Sequence, residues 1–173
     1  MRETRKESVA RSARAAEGGH AMTTLRHEVR IEAPVEAVWS AISDLEAVRH
    51  YNPMVAAVRI ISAAPTGVGA ARRCDLKPKG QVEERVWKWA APRSIGLEVA
   101  ASDWPIVFMR WETTLEPQSR ATVVRQQMDY RLRFGPLGAV LDAMMMRRKL
   151  DGAVRDVFAN LKRYVESGGQ SAT

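Results

Sequence analysis

The chain has 173 residues, a length typical of a single domain, and 46% of them are hydrophobic. The single cysteine, Cys74, excludes an internal disulfide and fits a reducing compartment. No apolar run approaches the roughly 18 residues of a membrane-spanning helix, so a cytoplasmic protein without stable membrane insertion is predicted. The formal net charge is +7, but the basic residues are interspersed with carboxylates along the chain. This spread predicts a solvated surface and no nucleic-acid partner.

Both ends of the chain lack the apolar pattern of a folded segment. Residues 1–22 carry five basic and three acidic groups with few large apolar side chains, which predicts a disordered basic tail. The patterned sequence begins just after Met22, so that methionine is an alternative start of translation. A folded domain is predicted over residues 23–167, and residues 168–173 are predicted to form a loose C-terminus.

The domain opens with a strand and two short helices. Apolar or neutral side chains alternate with charged ones from Leu25 to Ile31, which is the period of a strand. Pro34 then stands at a first helical position, and apolar residues follow it at helical spacing as far as Leu45. A second short helical segment is predicted from Glu46 to Tyr51, because the residue before a proline avoids helical geometry.

Residues 54–134 read as six consecutive strands separated by proline- and glycine-containing turns, which favours an antiparallel meander. The alternation is clearest in the later strands. Inward positions there are predicted to be Ile95, Leu97, Val99, Met109, Trp111, Thr113, Leu115, Thr122, Val124, Gln126, Met128, Tyr130 and Leu132. The intervening residues are mostly charged, so one face of the sheet should be apolar and the other solvated. The inner face is therefore the predicted location of any site.

The last segment, residues 136–165, has helical periodicity with an apolar stripe that includes Met144, Met145 and Phe158. Gly138 and Gly152 each weaken such a helix by about 1 kcal/mol relative to alanine. The pattern changes near Gly152, which predicts a cavity mouth or a movable lid there. One amphipathic helix must cover the one apolar sheet face. The predicted fold is therefore α+β: a curved antiparallel sheet of about seven strands around a long C-terminal helix, with two short helices between strands 1 and 2.

This order of elements resembles the START-related helix-grip superfamily (SRPBCC), and within it the polyketide cyclase/dehydrase and lipid-transport group. The resemblance covers roughly residues 25–165 and is carried by short motifs: Ala33-Pro34-Val35-Glu36-Ala37-Val38-Trp39, Tyr51-Asn52-Pro53-Met54-Val55, Pro65-Thr66-Gly67-Val68-Gly69, Val82-Glu83-Glu84-Arg85-Val86 with Trp89, Phe134-Gly135-Pro136-Leu137-Gly138 and Leu161-Lys162-Arg163-Tyr164. The resemblance implies an internal cavity that holds small apolar ligands. Because the scaffold serves carriers, receptors and enzymes, it does not choose among them.

Common catalytic and cofactor motifs are missing from the sequence. The three histidines lack metal-ligand spacing, and no serine lies in a nucleophile elbow. Gly67-Val68-Gly69 lacks the strand–helix context of a dinucleotide motif and is better explained as a hairpin turn. We therefore expect neither a metal nor any other cofactor. His27 is interpreted as a structural histidine whose hydrogen bonds are satisfied near the end of its strand.

Three polar residues on predicted inward positions are the candidates for chemistry: Tyr130, Glu84 and Arg72. Glu84 is the best general-base candidate if it is buried, and Arg72 is either its partner or an anchor for a ligand anion. A bulge near Trp87–Trp89 would reverse this register, which the sequence leaves open. The predicted ligand-binding residues are Cys74, Leu97, Met109, Trp111, Thr113, Gln126, Met128, Tyr130, Leu141, Met144 and Met145.

Three functions follow from these expectations. The leading one is binding of a small hydrophobic molecule, such as a polyketide, lipid, isoprenoid or quinone, between the sheet and the terminal helix. The alternative is an aromatase/cyclase or dehydratase that folds its substrate, with Tyr130, Glu84 and Arg72 assisting. The third is a protein-interaction module with a vestigial cavity, which would require an exposed apolar patch on the outer sheet face.

Overall fold

A computed structural model describes residues 22–133 and 139–169, without the side chains of residues 139–144. The predicted tail therefore lies outside the described residues except for Met22, and the side chains of Leu141 and Met144 lie outside them as well. Seven strands and three helices are present in the described ranges. In chain order they are β1 (Thr23–Ile31), α1 (Val35–Ser43), α2 (Val48–Tyr51), β2 (Val55–Ile60), β3 (Ala71–Leu76), β4 (Gln81–Ala90), β5 (Ser94–Ser102), β6 (Ile106–Gln118), β7 (Ala121–Leu132) and α3 (Ala139–Glu166).

The strands form one antiparallel sheet in the order β1-β7-β6-β5-β4-β3-β2. Each strand from β2 to β7 pairs with its chain neighbour, and β1 closes the sheet against β7. The six-strand meander and the helix-grip fold that the sequence predicts are thus confirmed. Gly67 and Gly69 adopt positive φ angles of 87° and 91° in the β2–β3 connection, as a turn requires.

The two faces of the sheet differ as the alternation predicts. Inward side chains such as Ile31, Ile95 and Val124 are almost completely buried. The outer face carries cross-strand ion pairs, including Lys88–Glu112 at 2.5 Å. The helices therefore pack against the inner face, because packing there removes apolar side chains from water.

Helix α3 packs its second half against β1, α1 and α2 through Val154, Phe158, Leu161 and Val165, all buried. The helix continues through Gly152, so the predicted break in the pattern does not interrupt it. Met145 differs from the expectation, since its side chain is 53% exposed. The reason is helical geometry: at about 100° per residue, nine residues place Met145 on the side opposite Val154.

Strand β4 contains the bulge on which the register of its inward residues depends. Val86 pairs with Leu97 and Lys88 with Gly96, so one extra residue, Trp87, is accommodated between them. Trp87 then lies on the outer face against Gly96, beneath the Arg110 guanidinium at 4.6 Å from the ring centre. This bulge comes after Glu84, and the other register shift, between Glu83 and Glu84, places its extra residue on β5. The Glu84 carboxylate therefore keeps the inward alternation of β4.

Substitution by alanine is expected to change the free energy of unfolding in opposite directions at Gly96 and at Gly152. A Cβ at position 96 would lie 2.5 Å from the Trp87 ring, whereas one at position 152 would meet nothing within 4 Å. We expect Gly96→Ala to lower the free energy of unfolding by about 1–3 kcal/mol through overpacking. Gly152→Ala should raise it by about 1 kcal/mol through helix propensity. Urea denaturation of both variants checks the pair, and stabilisation by Gly96→Ala would contradict the position of Trp87.

Candidate functional site

The candidate site is the inner face of the sheet, where apolar side chains from the central strands are only partly covered. Trp89, Val99 and Trp111 are half-buried although they pack against the core. Trp89 meets Trp39 of α1 edge-to-face, with ring centres 5.2 Å apart. A half-buried aromatic and aliphatic wall on a concave sheet suits an apolar ligand.

The predicted ligand-binding residues on the strands share the inner face. Val86 pairs with Leu97, which pairs with Trp111, which pairs with Met128, so these residues form one row across four strands. The predicted residues on this face that are buried are Cys74, Leu97, Met109, Thr113, Met128 and Tyr130. Whether they contact a ligand stays a prediction. Met145, which is exposed, does not face this core.

Gln126 and Thr113 are neighbours on β7 and β6. The Gln126 amide Nε2 donates to the Thr113 hydroxyl over 3.4 Å. Gln126 therefore has an internal hydrogen-bond partner. The pair introduces hydrogen-bonding capacity into an otherwise apolar region of the wall.

Arg72 and Glu84 form a buried ion pair on the same inner face, towards the β2 edge of the sheet. The Arg72 guanidinium donates from Nε to Oε2 of Glu84 at 2.6 Å and from Nη1 to the Leu45 carbonyl at 2.9 Å, and its Nη2 also lies 2.6 Å from the same carboxylate oxygen. The two side chains are 6% and 13% exposed. The prediction that Arg72 is the partner of Glu84 is thus confirmed. The Leu45 carbonyl ties the pair to the segment between α1 and α2.

Two further groups surround this ion pair. Burial raises the pKa of Tyr51 to about 12, against the lowering effect of the Arg72 charge. Burial also raises the pKa of the Cys74 thiol to about 12, and the nearby Glu84 charge adds to the effect. A thiol with this pKa stays protonated at neutral pH, so Cys74 acts as a small apolar residue and not as a nucleophile.

Tyr130 does not join this cluster. It pairs with Met109 on β6, whereas Glu84 on β4 pairs with Val99 on β5. At about 4.8 Å per strand spacing, Tyr130 and Glu84 lie roughly 14 Å apart along the sheet. Burial raises the pKa of Tyr130, so its hydroxyl is a hydrogen-bond donor rather than a base at neutral pH. The three candidates for chemistry therefore do not form one catalytic group.

His27 is not the fully hydrogen-bonded strand-end histidine that the sequence predicts. It lies in the middle of β1, and among the described residues only its Nε2 has a hydrogen-bond partner. Its Nε2 lies 2.9 Å from Oδ1 of Asp151 on α3, and its ring packs 6.1 Å from that of Phe158. Asp151 is three residues before Val154, on the apolar side of the helix. A charged residue on an apolar stripe is the signal that could have found this pair.

A second concavity lies on the outer face, where the sequence predicts no site. It is an open trough of about 660 Å³ lined mainly by outward side chains, among them Trp87, Arg110 and Arg125. Arg110 is paired with Glu98 at 2.5 Å, and Arg125 with Glu28 at 2.7 Å. None of the described residues hydrogen-bonds to the buried indole Nε1 of Trp87. Because the surrounding charges are already paired, the inner face remains the candidate site.

Metal sites and membrane-spanning helices are both missing from the part of the chain that the structure describes. Within residues 22–133 and 139–169, no cluster of three or more His, Cys, Asp or Glu side chains could hold a metal ion. In the same ranges, no helix is long and apolar enough to cross a membrane.

Comparisons with known proteins identify the family. The family model described as "Polyketide cyclase / dehydrase and lipid transport" matches residues 22–166. The chain belongs to this family. A search of curated proteins found no significant match.

Solved structures confirm the fold of this family member. TTHA0849 from Thermus thermophilus is 18% identical, with a TM-score of 0.73, covering 86% of this chain and 100% of that one. A START superfamily protein from Mycobacterium smegmatis is 16% identical, with a TM-score of 0.62, covering 84% and 95%. Ara h 8.0201 is 12% identical, with a TM-score of 0.69, covering 85% and 99%. At these identities the likeness concerns the fold alone.

Proposed function

We propose that this polyketide cyclase/dehydrase and lipid-transport family member binds a small hydrophobic molecule, of the polyketide, lipid, isoprenoid or quinone type, between its sheet and α3. The observation that carries the proposal is the half-buried apolar wall of Trp89, Val99 and Trp111 on the inner face. Removing such surface from water stabilises a complex by about 25 cal/mol per Å². We place the protein in the cytoplasm, with which the single reduced Cys74 is compatible.

Adjacent residues of β5 provide a direct test. Val99 lies on the inner face, and Glu98 lies on the outer face in an ion pair with Arg110. Val99→Trp fills space on the inner face, whereas Glu98→Trp adds the same bulk outside. For the neutral fluorophore N-phenyl-1-naphthylamine we expect Val99→Trp to weaken binding at least about ten-fold, or 1.4 kcal/mol. Glu98→Trp should change the Kd less than about two-fold.

Fluorescence titration gives the Kd of each variant, and the unfolding midpoints show that both remain folded. Equal effects of the two substitutions would place the fluorophore elsewhere. A wild-type protein that binds no apolar compound would contradict the proposed function itself.

A cyclase or dehydratase is the second candidate, because burial keeps the Tyr130 hydroxyl protonated on the same face, where its protein partner is Thr23. Such a group would donate a hydrogen bond to a substrate carbonyl and polarise it. The Arg72–Glu84 pair is already occupied internally, so it contributes less to this candidate than the sequence suggested. Turnover of a poly-ketone that falls in Tyr130→Phe, without loss of binding, would favour the enzyme over the carrier.

The interaction-module hypothesis receives less support. In the described residues, the large apolar side chains that are exposed are Met22, Ile61, Val68, Val107 and Met145. They lie before β1, between β2 and β3, on β6 and on α3. The outer face instead carries the paired charges described above.

A further inference from the structure

One ring nitrogen of His27, Nδ1, is buried on the inner face of the sheet. Its side chain is 8% exposed, and Nδ1 makes no hydrogen bond in the part of the chain that the structure describes. The residue lies on the inner face of β1, opposite Gln126 of β7. Buried polar groups in folded proteins are almost always hydrogen-bonded, so an unpaired nitrogen here calls for an explanation.

The contact of Nε2 with Asp151 determines which hydrogen bonds Nδ1 can make. The Asp151 carboxylate only accepts hydrogen bonds, so the contact at 2.9 Å places a proton on Nε2. Arg155 holds the same carboxylate from the solvent side, at 2.8 Å. In the neutral ring Nδ1 is then an acceptor, and in the protonated ring it is a donor. A hydroxyl group satisfies both states, because it can donate and accept.

His27 is a polar residue on an otherwise apolar part of the inner face. The ring of Phe158 packs beside it, and Gln126 directs its amide Nε2 to Thr113. Tyr130 lies four residues beyond Gln126 on the same face of β7, and its side chain is hydrogen-bonded to that of Thr23 on β1. A ligand group that approached this region would meet polar atoms from β1, β7 and α3 but apolar side chains around them.

We propose that His27, held by Asp151, is a polar subsite that receives the hydroxyl group of an otherwise apolar ligand. The inference rests on the proposed function and narrows its ligand class to alcohols or phenols. It assigns to His27 the binding role of orienting the ligand, in place of the purely structural role expected from the sequence.

The test compares two ligands of matched size on three proteins. 2-Naphthol carries a hydroxyl where 2-methylnaphthalene carries a methyl group. The ratio of their dissociation constants is measured by calorimetry for the wild-type protein, for His27→Phe and for the matched substitution His50→Phe on α2. We expect the preference for 2-naphthol to fall about ten-fold in His27→Phe, the value of one neutral hydrogen bond, and to persist in His50→Phe.

A second measurement does not depend on the variant folding. In ¹⁵N NMR spectra of the wild-type protein, 2-naphthol should shift the Nδ1 resonance of His27 by several ppm, and 2-methylnaphthalene should not. An unchanged preference in His27→Phe, or an unperturbed Nδ1, would overturn the inference and leave apolar binding intact. Failure of both naphthalenes to bind the wild-type protein would instead overturn the proposed function.

Discussion

Arg72→Met is expected to lower the free energy of unfolding by about 3–5 kcal/mol, because it leaves the Glu84 carboxylate buried without its partner. The guanidinium makes two contacts of 2.6 Å to Glu84 and one of 2.9 Å to the Leu45 carbonyl. Removing it therefore leaves both the Glu84 carboxylate and the Leu45 carbonyl without their hydrogen-bond donor. Urea denaturation followed by far-UV circular dichroism measures the loss.

The next residue provides the control for this prediction. Arg73 pairs with Glu83 at 2.5 Å in the same two strands, but their side chains are 37% and 30% exposed. Arg73→Met should therefore cost less than about 1 kcal/mol. The double variant Arg72→Met with Glu84→Met should recover most of the stability, since an apolar pair can replace a buried ion pair. Equal losses from Arg72→Met and Arg73→Met would contradict the buried cluster.

Phe158→Ala is expected to lower the free energy of unfolding by about 3–5 kcal/mol through the cavity that it leaves. Phe158 is buried on the stripe of α3 that packs against β1, and its ring contacts that of His27. The loss should be visible in the same urea denaturation experiment. Because the proposed site lies between α3 and the sheet, binding of the neutral fluorophore should weaken as well.

Met145 offers an apolar control on the same helix. Its side chain is 53% exposed, so Met145→Ala should change the free energy of unfolding by less than about 0.5 kcal/mol. A large loss from Met145→Ala, or a small one from Phe158→Ala, would contradict the orientation of α3.

The fold could be predicted because it depends on repeated patterns. From Phe108 onward β6 alternates in continuous register with β7, which places Trp111 opposite Met128 on the inner face. A period of two assigns every side chain of such a strand once one face is known to be buried. The single long amphipathic helix then has only one apolar surface to cover.

The details that escaped prediction depend on single residues brought together from distant positions. Trp87 is accommodated by a bulge because Gly96, on the neighbouring strand, leaves room for its ring. No period in the sequence of β4 specifies that match. The sequence predicts the wrong side of α3 for Met145, because three methionines in succession obscure the helical phase. The buried residues Val154 and Phe158 determine that phase further along the helix.

The candidate site was also predictable in part: pairs within the sheet could be predicted, and contacts with the helices could not. Arg72 and Glu84 share the inward alternation of β3 and β4, so their pairing followed from local pattern. The contacts of Arg72 with Leu45 and of His27 with Asp151 did not. These partners are contributed by other elements, and their identity depends on how the helices pack on the sheet.

The most direct test of the central claim is a native mass spectrum of the purified full chain, recorded before and after incubation with N-phenyl-1-naphthylamine. The proposed function predicts a one-to-one adduct of the fluorophore or of a co-purified apolar molecule. That adduct should persist in Glu98→Trp and disappear in Val99→Trp. Only the bare protein mass under every condition, or an undiminished adduct in Val99→Trp, would contradict a ligand site on the inner face of the sheet.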